Sequence, residues 1–386
     1  MAFYHKLGDI PRKPHTTHYK PDGKSLYREE LFSTLGFSGI FSNKYHINIP
    51  SKLLRRRLID LPDSAEWPEA PLLYTHFFTD QIAVAGDFIQ SRRRCLFNDT
   101  CIISIAAPTE NSDRFFRNQF DEYIFVHHGA GTMHSEYGRM AFEDGDQLVI
   151  PKGTTYQLHF EQTQANKLLI CESATAYDIP RRYRNDYGQL VEGAPVCERD
   201  IKVPQYAEPH DETGEFTIIL KARGQLHELI VPHHPFDVVG WDGYHYPWAV
   251  NIRDFCPIVG KTHQPPPVHQ LLETRTFVLC NFTPRLFDFH PNAIPAPYFH
   301  SNIDSDEVLY YAEGNFMSRK GIREGSITLH PSGMPHGPQP GKTEASVGAK
   351  KTNEYAVMID TFQPLKLTLP VRQALDESYP QSWLKE

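Results

Sequence analysis

Three residues in the last third of the chain, His300, Glu307 and His336, have the types and spacing to hold a metal. Two imidazoles and one carboxylate on one face are a set that divalent iron commonly uses, with positions left open for a substrate and for oxygen. They lie in PYFHSNIDSDEVLYYAEGNFMSRKGIREGSITLHPSGMPHGP, from Pro297 to Pro338. His300 and Glu307 would come from either side of a tight turn. His336 follows a turn at Pro331–Gly333. No cysteine lies beside them, which argues against a structural zinc site. With 20 histidines in the chain, a single one means little; the spacing of the three carries the reading. Asp304 and Asp306 read as solvated turn residues, and Asn302 as a weak ligand or a partner of one.

Ligands so far apart in sequence need a β scaffold to converge. From about Leu72 the chain supplies one: LLYTHFFT, TCIISIAAP, DEYIFVHHGAG, GRMAFEDGDQLVIPKGTTYQLHFE and KLLICESA are short strand-like runs bounded by Gly, Pro, Asn and Asp. β-rich sequence resumes at EFTIILKARGQLHELIV and continues to about residue 369. A short helix is expected near Leu26–Leu35, anchored by Tyr27, Phe32 and Phe37, and another at the start of VRQALDESYPQSWLKE. With 31 prolines, long helices are not expected.

The two β blocks repeat. Glu122-x6-Gly129 is followed by Gly145-x5-Pro151-x-Gly153-x2-Tyr156; Glu307-x6-Gly314 is followed by Gly325-x5-Pro331-x-Gly333-x2-His336. These spacings resemble the two motifs of the cupin superfamily, a small jelly-roll-like barrel. The second block departs at Ile294, Asn302 and Pro340. The first keeps Glu122 but has Phe115, Arg117 and Tyr156 at the histidine positions. The expected fold is therefore all-β, two cupin-like barrels with few short helices. Residues 1–255 would hold a degenerate, metal-free barrel at about 72–175. Residues 256–386 would hold the metal-binding barrel, borrowing strands from 215–255.

A narrower resemblance covers PYFHSN, LHPSGMPHGP, WDGYHYPW and THQPPPVHQLL. It is to the homogentisate 1,2-dioxygenase family. The resemblance implies Fe(2+) held by His300, Glu307 and His336, and His263 as the proton-accepting catalytic group. It implies substrate contacts from His330, His336 and position 316, where the family's tyrosine is Phe316. It also implies ring opening of homogentisate by O2 to maleylacetoacetate, in tyrosine and phenylalanine catabolism, and a homo-oligomer. Two departures, Phe316 and the six residues between His300 and Glu307, keep gentisate or another hydroquinone open as substrate. The other readings are a cupin isomerase or decarboxylase and a non-catalytic two-barrel binding protein.

Bulk properties agree. Net charge is −8, which favours no nucleic-acid partner. No apolar run reaches membrane-spanning length. MAFYHKLGDIPRKPH lacks an apolar signal core, so a cytoplasmic location is the expectation. The six cysteines form no C-x2-C pair and read as buried thiols. Arg55–Arg57 and Arg92–Arg94 read as solvated faces or local ion pairs.

Overall fold

The computed structural model describes residues 3–60, 65–161 and 165–384. It is built almost wholly of strands, with two five-residue α-helices, Lys342–Ser346 and Leu369–Gln373. No described helix is long and apolar enough to cross a membrane.

The first barrel is made of two facing sheets. One has eight strands, with Asp121–His128 near its middle, between Asp146–Ile150 and Lys167–Ser173. The other has seven, among them Phe115–Asn118, Thr155–Phe160 and Thr213–Ala222. Ile124, Val126, Leu148, Ile150, Tyr156 and Ile170 fill the space between.

The second unit is a six-stranded sheet in the order Gln270–Glu273, Phe277–Phe282, Tyr355–Thr361, Asp306–Glu313, Ser326–His330, Thr75–Phe78. It packs back to back on the eight-stranded sheet. Tyr123, Phe125 and Leu169 from one meet Leu279, Val308, Tyr310 and Ile359 from the other in a shared core. Alternation along Asp306–Glu313 does the rest. Val308 and Tyr310 face the first barrel, which leaves Glu307, Leu309 and Tyr311 to face the opposite side, where a cavity opens. Sheets covered on both faces read as unbroken apolar runs, which is why DEYIFV and KLLICES show no clean alternation.

The domain boundary differs from the expected one. Residues 213–251 lend nothing to the second sheet: Thr213–Ala222 pairs in parallel with Phe115–Asn118, and Trp248–Asn251 pairs with Asp146–Ile150. The borrowing runs the other way. Thr75–Phe78, expected to open the first barrel, pairs with Ser326–His330 in the second sheet. Lys366–Leu367 in turn pairs with Arg93–Phe97 in the first. Edge strands carry little sequence signal about which sheet they join, so periodicity could not settle this.

The helix expected near Leu26–Leu35 is instead the strand Arg28–Ser33, paired with Phe41–His46 in a sheet that lies on the first barrel. Pairing overrides local propensity here. Phe32 packs against Tyr137 and His245, whereas Phe37 is exposed and anchors nothing. Arg55 and Arg57 pair with Glu215 and Glu228 as expected, but Arg92 is buried. Cys256 is exposed, unlike the buried thiols Cys95, Cys101, Cys171 and Cys280.

Candidate metal centre

His300, Glu307 and His336 converge. Their ligand atoms lie within 4.8 Å of one another. Glu307 sits at the start of Asp306–Glu313, its backbone locked between Ser326–His330 and Tyr355–Thr361. His300 and His336 come from the two loops flanking that strand pair and bridge each other through backbone hydrogen bonds in both directions, at 2.9 and 2.8 Å. The Gly333 amide adds a bond to the Asn302 carbonyl. Thus the two histidine loops are tied to each other before any ligand arrives.

The imidazoles are set for coordination. His300 Nδ1 lies 3.2 Å from the Tyr298 carbonyl and His336 Nδ1 lies 2.9 Å from the Met334 carbonyl. A carbonyl only accepts, so each Nδ1 carries a proton, and in the neutral ring each Nε2 keeps its lone pair. Those lone pairs face the Glu307 carboxylate at 3.4 Å. Buried His336 Nε2 makes no hydrogen bond at all. Two Nε2 atoms and a carboxylate turned toward one point, with both Nδ1 protons committed to backbone carbonyls, are a place for a cation, and the donor set fits ferrous iron.

The surroundings hold Glu307 in its ionised form. Burial pushes its carboxyl up, but the three imidazoles around it, His300, His330 and His336, win and hold it well below the usual range. His330 is fully buried, and burial lowers it to about 4, so it is neutral. Its Nδ1 lies 2.7 Å from Glu307 Oε1 and its Nε2 3.0 Å from the Tyr379 hydroxyl. The chain Tyr379–His330–Glu307 therefore orients the carboxylate through a donated Nδ1–H. This puts His330 behind Glu307, against the carboxylate and off the cavity lining.

A cavity of about 340 Å³ reaches the triad at His300 and Glu307. Phe282, Tyr311, Phe316 and Met358 give it apolar walls, and Arg285 and Arg319 give it positive charge. Phe316 packs edge-on against Tyr311 at 4.6 Å. His263 stands half-exposed on the lining, 5.0 Å from the Tyr298 ring, which in turn contacts His300. Asp304 is exposed as expected. Asp306 is not: it is buried and accepts from the Ser332 and Leu365 amides, which pins the ligand loops and takes it out of the ligand set.

Sequence reading missed Asp360. It pairs with Glu307 across the sheet, lines the cavity, and leaves Oδ1 without a hydrogen bond. Burial, then the neighbouring Glu307 charge, push it up to about 8. The internal repeat held the signal. In the first barrel Glu122 is flanked in register by Ile150 and Glu172, as Glu307 is by His330 and Asp360. There, however, a cation is built in. Arg92 lies 2.8 Å from Glu122 and 3.4 Å from Glu172, and the Tyr156 hydroxyl donates to Glu122 at 2.7 Å. The first barrel neutralises its carboxylates with Arg92 and Lys221; in the second, His300, His330 and His336 surround Glu307 instead.

The N-terminal domain model of homogentisate 1,2-dioxygenase matches residues 75–252. Over 99% of both chains, this protein is 41% identical to one of Saccharolobus solfataricus named "Putative dioxygenase SSO1533". The chain belongs to the homogentisate dioxygenase family. Within that family, the homogentisate 1,2-dioxygenase of Bradyrhizobium diazoefficiens is 28% identical across 70% of this chain and 63% of its own length. Among solved structures, a cupin 2 conserved barrel domain protein from Leptotrichia buccalis aligns with 76% of this chain and 99% of its own, at 9% identity and a TM-score of 0.36. The family model ends before His300, so it covers the barrel with Arg92 rather than the triad.

Proposed function

We propose that this protein is a non-haem Fe(II) dioxygenase that opens a hydroquinone-type ring with O2, homogentisate being the leading substrate. The observation that carries the reading is the pair of Nε2 lone pairs facing Glu307 at the end of an aromatic and basic cavity. His300, Glu307 and His336 would hold the iron, which when bound supplies the activation of O2 and a Lewis acid for a ring hydroxyl. The protein's own groups do the rest. His263, on the cavity lining, would accept a phenolic proton. Phe316 and Tyr311 together offer an aromatic wall to a flat ring, and Arg285 and Arg319 offer charge to a carboxylate arm. In the reaction one ring carbon–carbon bond breaks, and both oxygen atoms of O2 enter the product, maleylacetoacetate. That would place the protein in tyrosine and phenylalanine breakdown.

The test is oxygen uptake by the iron-loaded protein with homogentisate, gentisate and plain hydroquinone. Homogentisate should support ferrous-dependent uptake. A better response to gentisate would keep the chemistry and change the substrate. No uptake with any of the three overturns the reading.

A further inference from the structure

We propose that His127, His128 and Glu324 form a second divalent-cation site, at the junction of the two barrels and separate from the His300–Glu307–His336 centre. Their candidate ligand atoms lie within 4.8 Å of one another. His127 and His128 end the strand Asp121–His128 of the first barrel. Glu324 lies in the loop before Ser326–His330 of the second sheet.

Neighbours on a strand normally point to opposite faces, so two adjacent histidines do not ordinarily share a ligand. Here a bulge removes that bar. His128 pairs with Lys167 and Val126 with Leu168, which leaves His127 as the extra, unpaired residue. The two rings consequently stack at 4.2 Å. Both Nε2 atoms point at one oxygen, Glu324 Oε1, at 3.1 and 2.9 Å. Bonds of about 2.0–2.1 Å in a tetrahedral zinc site separate ligand atoms by roughly 3.3 Å. Each His–Glu324 separation thus needs to open by only a few tenths of an ångström, and Glu324, half-exposed, is free to give.

The buried partner is already oriented. His127 Nδ1 lies 2.6 Å from the Tyr310 hydroxyl, on the strand that begins with Asp306 and Glu307. Nε2, turned to Glu324, is the coordinating atom; a metal there displaces its proton and leaves Nδ1–H to donate to the Tyr310 hydroxyl, the arrangement by which protein groups fix a metal-bound imidazole. Half-exposed His128 and Glu324 leave the outer side to water, which completes the shell. Imidazole with carboxylate suits zinc and its first-row neighbours. Asp144 lies 3.8 Å from His128, and Lys167, electrostatically coupled to Glu324, is the cation that a metal must compete with.

Zinc content of the full-length protein after equilibrium dialysis tests this. Wild type should hold about two ions per chain, one per three-ligand set. The His128→Asn/Glu324→Gln variant should hold one fewer, and so should His300→Asn/Glu307→Gln. Zinc should also raise the melting temperature of His300→Asn/Glu307→Gln, and not of the fourfold variant. Both changed residues of the junction variant are half-exposed, and Glu324→Gln alone serves if the double change impairs folding. Unchanged zinc content in the junction variants means that the cluster is an ion pair only, and overturns the proposal. If instead the triad fails to bind zinc, wild type holds one ion that the junction variants lose, so the two sites stand or fall separately.

Discussion

Glu307 is the residue on which the centre turns, and its neighbours show how its charge is kept and aimed. Replacing it with Gln removes the ionised ligand, and iron should no longer co-purify; retained iron would refute its role. His330 acts at one remove. Replacing it with Gln takes away the Nδ1–H donor 2.7 Å from Oε1 while leaving all three ligands in place. Iron affinity should fall about 10–100-fold, measured by retention against a chelator. An unchanged iron affinity together with a raised KM would return His330 to the substrate. Burial also leaves a pH signature elsewhere. His245 is lowered to about 4 by burial, so between about pH 4 and 6.5 the unfolded chain binds a proton there that the native one does not. Its contribution to stability is lost as pH falls through that window. His245→Gln should therefore flatten the dependence of unfolding free energy on pH by about 1.4 kcal/mol per pH unit. Denaturant melts of metal-free protein at pH 5 and pH 6 check it; an unchanged slope would mean His245 is protonated in the native state.

Turns and bulges decide where these residues end up, and they explain what was legible. The Pro331–Gly333 turn could be read from sequence because only a few residue types satisfy it. Gly333 has φ of +77° with open space around it. Gly333→Ala meets no clash, but a side chain in that conformation is strained by about 1 kcal/mol. Because the Gly333 amide ties the turn to the Asn302 carbonyl, the variant should lose iron affinity along with a few degrees of melting temperature. Loss of stability with iron binding untouched would detach the turn from the site. The triad was legible for the same reason: its spacing is set by turns. Asp360 was not, because what makes it matter is registry across two strands with Glu307, which only its counterpart Glu172 in the repeat hinted at. Nor was the bulge at His127, since a single extra residue in a ladder leaves no mark on composition.

At the scale of the whole molecule, the two barrels are not separable pieces, although the repeat suggests that they should be. The repeat correctly announced two β units. It was silent on the strands exchanged between them, because Thr75–Phe78 and Lys366–Leu367 join by edge pairing rather than by pattern. The second sheet has one face on the shared core, where Leu279, Val308, Tyr310 and Ile359 meet the first barrel. A fragment of residues 256–386 would expose that face to water and lose the edge strand beside His330. Each large apolar side chain so exposed forfeits about 1.5–3 kcal/mol, against a net domain stability of only about 5–15 kcal/mol. The fragment should therefore fail to fold, and lengthening it upstream to residue 213 should not help, since residues 213–251 pair with the first barrel. Supplying residues 65–255 as a second polypeptide should restore the β-sheet circular dichroism and iron binding together. A soluble 256–386 fragment that melts cooperatively and binds iron by itself would show instead that the shared core and the exchanged strands are dispensable to the centre.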